Sequence, residues 1–117
     1  MDWKKSTTCL IGRFQPWHGG HQALFERALS KTGQVCIMVR NTEGLDKNNP
    51  FDFEFVKSKI NEALLPKYES KYEIILIPNI THLTYGRDVG YKIEQEVFDE
   101  VTHSISATNI RKEMGLE

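Results

Sequence analysis

Apolar positions along the chain change period several times, and each change marks an element. Thr7 to Gly12 is a short β-prone run closed by glycine. From His21 to Lys31, Leu24, Phe25, Ala28 and Leu29 recur at helical spacing, and Gly33 stands where a C-cap ends such a helix. Gln34 to Arg40 is a continuous apolar run of the kind that forms a buried parallel strand. A polar loop from Asn41 to Pro50 follows. Phe53, Val56, Ile60 and Leu64 then share one helical face, predicting a second helix over Asp52 to Leu65 that Pro66 stops. Tyr72 to Ile77 reads as a third buried strand, ended by Pro78. Asn79 to Gly90 is loop-like, and Tyr91, Ile93, Gln95 and Val97 alternate with Lys92, Glu94 and Glu96 as in a half-exposed fourth strand. Ser106 is a good N-cap for a short terminal helix in which Ile110 and Met114 share a face. Strands alternating with helices predict an α/β domain of three layers with a small, mainly parallel sheet. In such sheets ligands bind beyond the carboxyl ends of the strands, next to helix N-termini.

The chain has 117 residues, and with no repeat or low-complexity tract to divide it, residues 1–117 read as one domain. Its 39% hydrophobic residues supply a core without a metal or a disulfide. Fifteen basic side chains against sixteen acidic ones give a net charge of -1, which argues against a nucleic-acid partner held through its phosphates. There is no apolar run of membrane-spanning length and no signal-peptide core after Met1, so a cytoplasmic protein without a membrane partner is expected. Cys9 and Cys36 each lie in an apolar segment and read as buried reduced thiols.

Two clusters carry chemistry. The loop after the first strand runs Gly12-Arg13-Phe14-Gln15-Pro16-Trp17-His18-Gly19-Gly20-His21. Two imidazoles spanning the entry to a helix can both face an anion held at its N-terminus, and Gly20 lets a base or ribose approach the backbone. The same residues also fit a surface turn, with Arg13 merely solvated. The second cluster, Ile105-Ser106-Ala107-Thr108-Asn109-Ile110-Arg111, places hydroxyls at a helix start and a guanidinium one turn in. An ordinary capped helix would look the same, but two such clusters at opposite ends of one α/β chain are an improbable coincidence. Trp17 either stacks on a ligand or covers the core.

Together these clusters resemble the paired signatures of the nucleotidyltransferase superfamily, and Gly12 to Pro16 is most similar to the archaeal-type nicotinamide-mononucleotide adenylyltransferases. The resemblance extends through Asn49-Pro50-Phe51, Ile77 to Ile80 and Gly90 to Arg111. The His-x-Gly-His spacing is shared with class I aminoacyl-tRNA synthetases, which need a far longer chain. The resemblance implies a Rossmann-like fold and transfer of a nucleoside monophosphate from ATP, or alternatively CTP, to a phosphorylated small-molecule acceptor, with pyrophosphate released. It implies His18, His21 and Arg111 as catalytic residues, and Gly12, Arg13, Phe14, Gln15, Gly20, Arg87, Ile105, Ser106 and Thr108 around the nucleotide. Lys47, Asn49 and Asp88 are candidates for the acceptor. Magnesium would accompany the triphosphate through water, with no protein ligand set. A homo-oligomer is expected, because relatives are commonly oligomeric. The stretch from Ile80 to Gly90 replaces a helix and strand that shape the acceptor pocket in the relatives. That shortening leaves open a catalytically idle nucleotide-binding module, or a subunit completed by a partner chain.

Overall fold

A computed structural model describes residues 1–41, 50–87 and 90–96. Five elements follow in the order β1 (Thr8–Gly12), α1 (Gly19–Thr32), β2 (Val35–Arg40), α2 (Phe53–Leu64) and β3 (Tyr72–Ile77). The three strands pair in parallel in the order β1-β2-β3. This is the small parallel sheet of an α/β domain.

Register decides which side chains share a face. Leu10, Ile37 and Ile74 lie side by side across the three strands, and Gly12, Val39 and Leu76 form the next row. On this face Leu10, Val35, Ile37 and Val39 are buried together with Phe25 and Ala28 of α1 and with Val56, Ile60 and Leu64 of α2. Both helices therefore cover the same side of the sheet. Two right-handed crossovers that advance in one direction place them there. The opposite side carries Cys9, Ile11, Cys36, Met38 and Ile75, with Cys9 exposed and Cys36 half-buried. The expectation of two buried thiols is thus corrected: the apolar runs are those of strands buried on both sides, but the described helices cover one side only.

Local signals set the helix limits. Asp52 caps α2 by accepting from the Phe55 N–H at 2.8 Å. Gly33, at φ 84°, closes α1 in the left-handed conformation, and its N–H donates to the Leu29 carbonyl. Buried Gln34 fastens the N-terminal residues to β2. Its side chain accepts from the Asp2 N–H and donates to the Asp2 carbonyl and the Thr7 hydroxyl.

The expected fourth strand is absent over residues 91–96, which are irregular. Tyr91 and Ile93 are 75% and 64% exposed. The alternation has another cause: Glu94 and Glu96 reach Lys31, and Glu96 also reaches Arg27 at 3.1 Å, so the acidic residues face α1. Val97 and the terminal helix expected from Ser106 lie outside the described residues. Among the described residues, no helix is long and apolar enough to cross a membrane.

Candidate active site

The loop between β1 and α1 leaves the carboxyl edge of the sheet. Phe14 adopts a left-handed conformation at φ 52°, which costs free energy for a residue with a side chain and is held only by its surroundings. Its ring turns back over the end of β1 and is 3% exposed. Glycine gives it room, because a Cβ at Gly12 would lie 3.0 Å from two ring carbons of Phe14 and the ring would have to shift by a few tenths of an ångström. Trp17, Phe14 and His21 form an aromatic group, with the Phe14 ring edge-on to His21 at 4.9 Å. Trp17 is buried and donates its indole N–H to Gln22. It belongs to the core.

Gln15 is buried as well. Its amide nitrogen donates to the Phe51 carbonyl at 2.9 Å and its amide oxygen accepts from the Phe51 N–H at 3.0 Å. This paired bond joins the β1–α1 loop to the chain entering α2. The side chains of Phe14 and Gln15, expected around a nucleotide, are therefore occupied in building the loop. Replacing Gln15 with Leu leaves both backbone groups of Phe51 without their partner. We expect a loss of about 1–3 kcal/mol of stability, read from urea unfolding. A Gln15→Leu protein as stable as the parent would remove this joint from the account.

The two histidines define the start of α1. His18 is its N-cap, and its Nδ1 accepts from the Gly20 N–H at 3.0 Å. His21 returns the bond, its Nδ1 accepting from the His18 N–H at 3.2 Å. The rings stack with centroids 3.9 Å apart. A ring nitrogen that accepts a backbone N–H carries no proton, so each neutral imidazole keeps its proton on Nε2. Burial, and then the neighbouring His18, push the pKa of His21 down to about 3. Burial also lowers that of His18. Near neutrality the pair consequently offers two uncharged Nε2–H donors at a helix N-terminus. The first turn contains no acidic residue, which leaves the roughly half positive charge of the helix end available to an anion.

The sequence-predicted residues now divide. Gly12, Gly20, His18 and His21 are brought together by one loop and its helix, and exposed Arg13 stands in the same loop. Arg87 is exposed in the irregular stretch after β3, and no described contact joins it to the histidines. Lys47, Asn49, Asp88, Ile105, Ser106, Thr108 and Arg111 lie outside the described residues. One residue of the same edge was missed. Arg40 ends β2, its Nη2 donates to Asn79 Oδ1 at 2.9 Å, and its Nε is buried with no hydrogen-bond partner among the described residues. The signal was a cation closing an apolar parallel strand at the ligand-binding edge. An open hollow lined by Lys57, Asn61, Glu69 and Tyr72 lies at the amino end of β3 and has no part in the histidine site.

Among the described residues, no group of three or more His, Cys, Asp or Glu side chains could hold a metal ion.

A sequence model of the cytidylyltransferase-like family matches residues 9–113, which span the sheet, the histidine loop and both helices. The chain belongs to the cytidylyltransferase-like family. Comparison with curated proteins gives no match. Family membership supports nucleotidyl transfer as the general activity, and the small parallel sheet agrees with the family's Rossmann-like domain. In a cytidylyltransferase-like domain a helix start bearing two fixed N–H donors suits the oxygens of a phosphate chain.

Proposed function

We propose that this protein transfers a nucleoside monophosphate from a nucleoside triphosphate, preferentially ATP, to a phosphorylated small-molecule acceptor. The supporting observation is the reciprocal cap formed by His18 and His21, which fixes the proton of both rings on Nε2. A phosphate oxygen of the acceptor attacks the α-phosphorus in line, the bond to the β-phosphate breaks, and pyrophosphate leaves. This reaction needs no enzyme nucleophile. Catalysis rests on orientation and on donors aimed at the oxygens where charge builds.

In this mechanism the Nε2–H groups of His18 and His21 donate to phosphate oxygens, and the N-terminal dipole of α1 acts with them. Because both rings are neutral, balancing the triphosphate's charge falls to cations. Arg13 contributes from the same loop. Arg111 grips the departing pyrophosphate, Ser106 and Thr108 donate hydroxyl hydrogen bonds, and Lys47 and Asn49 meet the acceptor. Magnesium carried by the nucleotide would add positive charge against the phosphates, held mainly through water rather than by a set of protein ligands.

Cytidylyl transfer is the second reading, favoured by the description of the matching family. The two are separated by ligand-induced stabilisation, since whatever binds the folded state raises its thermal midpoint. At equal concentrations with magnesium, ATP should raise the midpoint more than CTP. A larger shift with CTP reverses the assignment. Pyrophosphate release measured across four nucleoside triphosphates and a panel of phosphorylated acceptors then identifies the second substrate. If no combination releases pyrophosphate although a triphosphate binds, the protein is a nucleotide-binding module.

A further inference from the structure

The sheet face opposite the helices holds a feature that nucleotidyl transfer does not use. Cys9 of β1 and Cys36 of β2 are register partners in the parallel ladder, so their side chains leave the same face directly beside one another. Both are free thiols, Cys9 exposed and Cys36 half-buried. Neighbouring strands run about 4.7–4.9 Å apart. A disulfide accepts Cα separations of about 4.4–6.8 Å. The sequence hides this pairing, because twenty-six intervening residues and a whole crossover helix separate the two positions.

We propose that Cys9 and Cys36 form a dithiol site that is closed to an intramolecular disulfide by a low-molecular-weight disulfide. The steps balance as two thiol–disulfide exchanges. The thiolate of exposed Cys9 attacks one sulfur of the small disulfide, whose S–S bond breaks to release one small thiol and leave a mixed disulfide on Cys9. The thiolate of Cys36 then attacks Cys9 Sγ and expels the second small thiol. Two electrons pass from the protein dithiol to the small disulfide, and the two protons lost by the cysteines end on the two released thiols.

The surroundings assign the order of events. Burial, then the proximity of Cys9 and of Glu73, push the Cys36 thiol above its ordinary pKa. Glu73 is the register partner of Cys36 on β3, and its carboxylate also accepts the Trp3 indole N–H. Cys36 is thus the poorer first nucleophile and the resolving residue, while Cys9 meets the reagent. Because both steps are thiol–disulfide exchanges, an excess of small thiol runs them backwards. The site is a reversible one.

The test uses the native full chain, glutathione disulfide in excess, alkylation of remaining thiols, and intact-mass and peptide analysis. Wild type should lose two hydrogens, retain no glutathione, and yield one cross-linked peptide pair containing Cys9 and Cys36. Dithiothreitol should restore both thiols. Cys36→Ser should hold one stable glutathione on Cys9, because nothing resolves it. Cys9→Ser should react at least about tenfold more slowly than Cys36→Ser. Persistent glutathione adducts on wild type, disulfide-linked dimers in place of the internal bond, or no reaction at native pH would each overturn the proposal. Wild type in guanidinium chloride is the control: there the mixed disulfide should accumulate, because no ladder holds the second thiol beside the first. Equal accumulation in the folded protein would also count against it. None of these readouts depends on nucleotidyl transfer.

Discussion

Replacing His21 with Ala should lower turnover by about a hundredfold or more, the usual cost of removing one donor from a site where oxyanion charge develops. His18→Ala should do the same. The prediction comes from the fixed Nε2–H of each ring, because a donor whose direction is set by a backbone bond on the other nitrogen loses nothing to reorientation during the reaction. His18 is also an N-cap, and losing a cap costs about 1 kcal/mol. His18→Asn separates the two roles, since asparagine is a good cap but presents no imidazole. It should fold with nearly the parent's stability and still lose turnover. The assay is kcat for pyrophosphate release with the acceptor that the substrate panel identifies, alongside urea midpoints. Parent-like turnover in both Ala variants removes the imidazoles from catalysis. A pH series adds a second readout. The unfolded His21 takes up a proton as pH falls below its ordinary 6.5, whereas the folded ring resists protonation down to about 3. Stability is therefore complete above about 6.5 and is lost as pH falls through that window. The stability difference between pH 7.5 and pH 5 should shrink in His21→Ala, which removes this ring and loosens the burial of its stacked neighbour His18.

The largest loss of stability is expected at Phe25. It is fully buried where α1 meets the sheet, with Tyr68 edge-on at 5.1 Å, Tyr72 at 6.0 Å and Trp17 at 6.4 Å. Phe25→Ala removes the central ring of that group and leaves a cavity between three large side chains that cannot close around it. Such substitutions cost about 3–5 kcal/mol. Domains of this size have about 5–15 kcal/mol in total, so the variant should lie close to its unfolding limit at 37 °C. Urea unfolding by far-ultraviolet circular dichroism gives the difference directly. A loss under about 1 kcal/mol would mean that the core is centred elsewhere. Phe25→Leu, which keeps most of the volume, should recover more than half of the effect.

Periodicity alone located β1, α1, β2, α2 and β3, because each buries a stripe or a face whose spacing survives in one dimension. The start of α1 was harder to read. Two glycines follow the cap, glycine is a weak helix former, and histidine is not among the usual capping residues. The helix therefore begins at Gly19 rather than His21. The segment from Tyr91 shows the opposite failure, since its alternation is real but its polar set was chosen by Arg27 and Lys31 across space. Within the site the pair of histidines was legible from spacing. The inward course of Phe14 and Gln15 was not, because it depends on a positive φ at Phe14 and on a partner at Phe51, neither of which has a local signature.

The histidine cap is made from bonds that span two or three residues, whereas the paired bond of Gln15 reaches across to the chain entering the next crossover helix. A unit so self-contained can be inherited whole. Segments farther along the chain are then free to lengthen, shorten or change partner without disturbing the two imidazoles to which the proposed function gives the phosphates. If the cap does hold the nucleotide as proposed, a lineage built on this plan can diversify what receives the nucleotide while leaving untouched what delivers it.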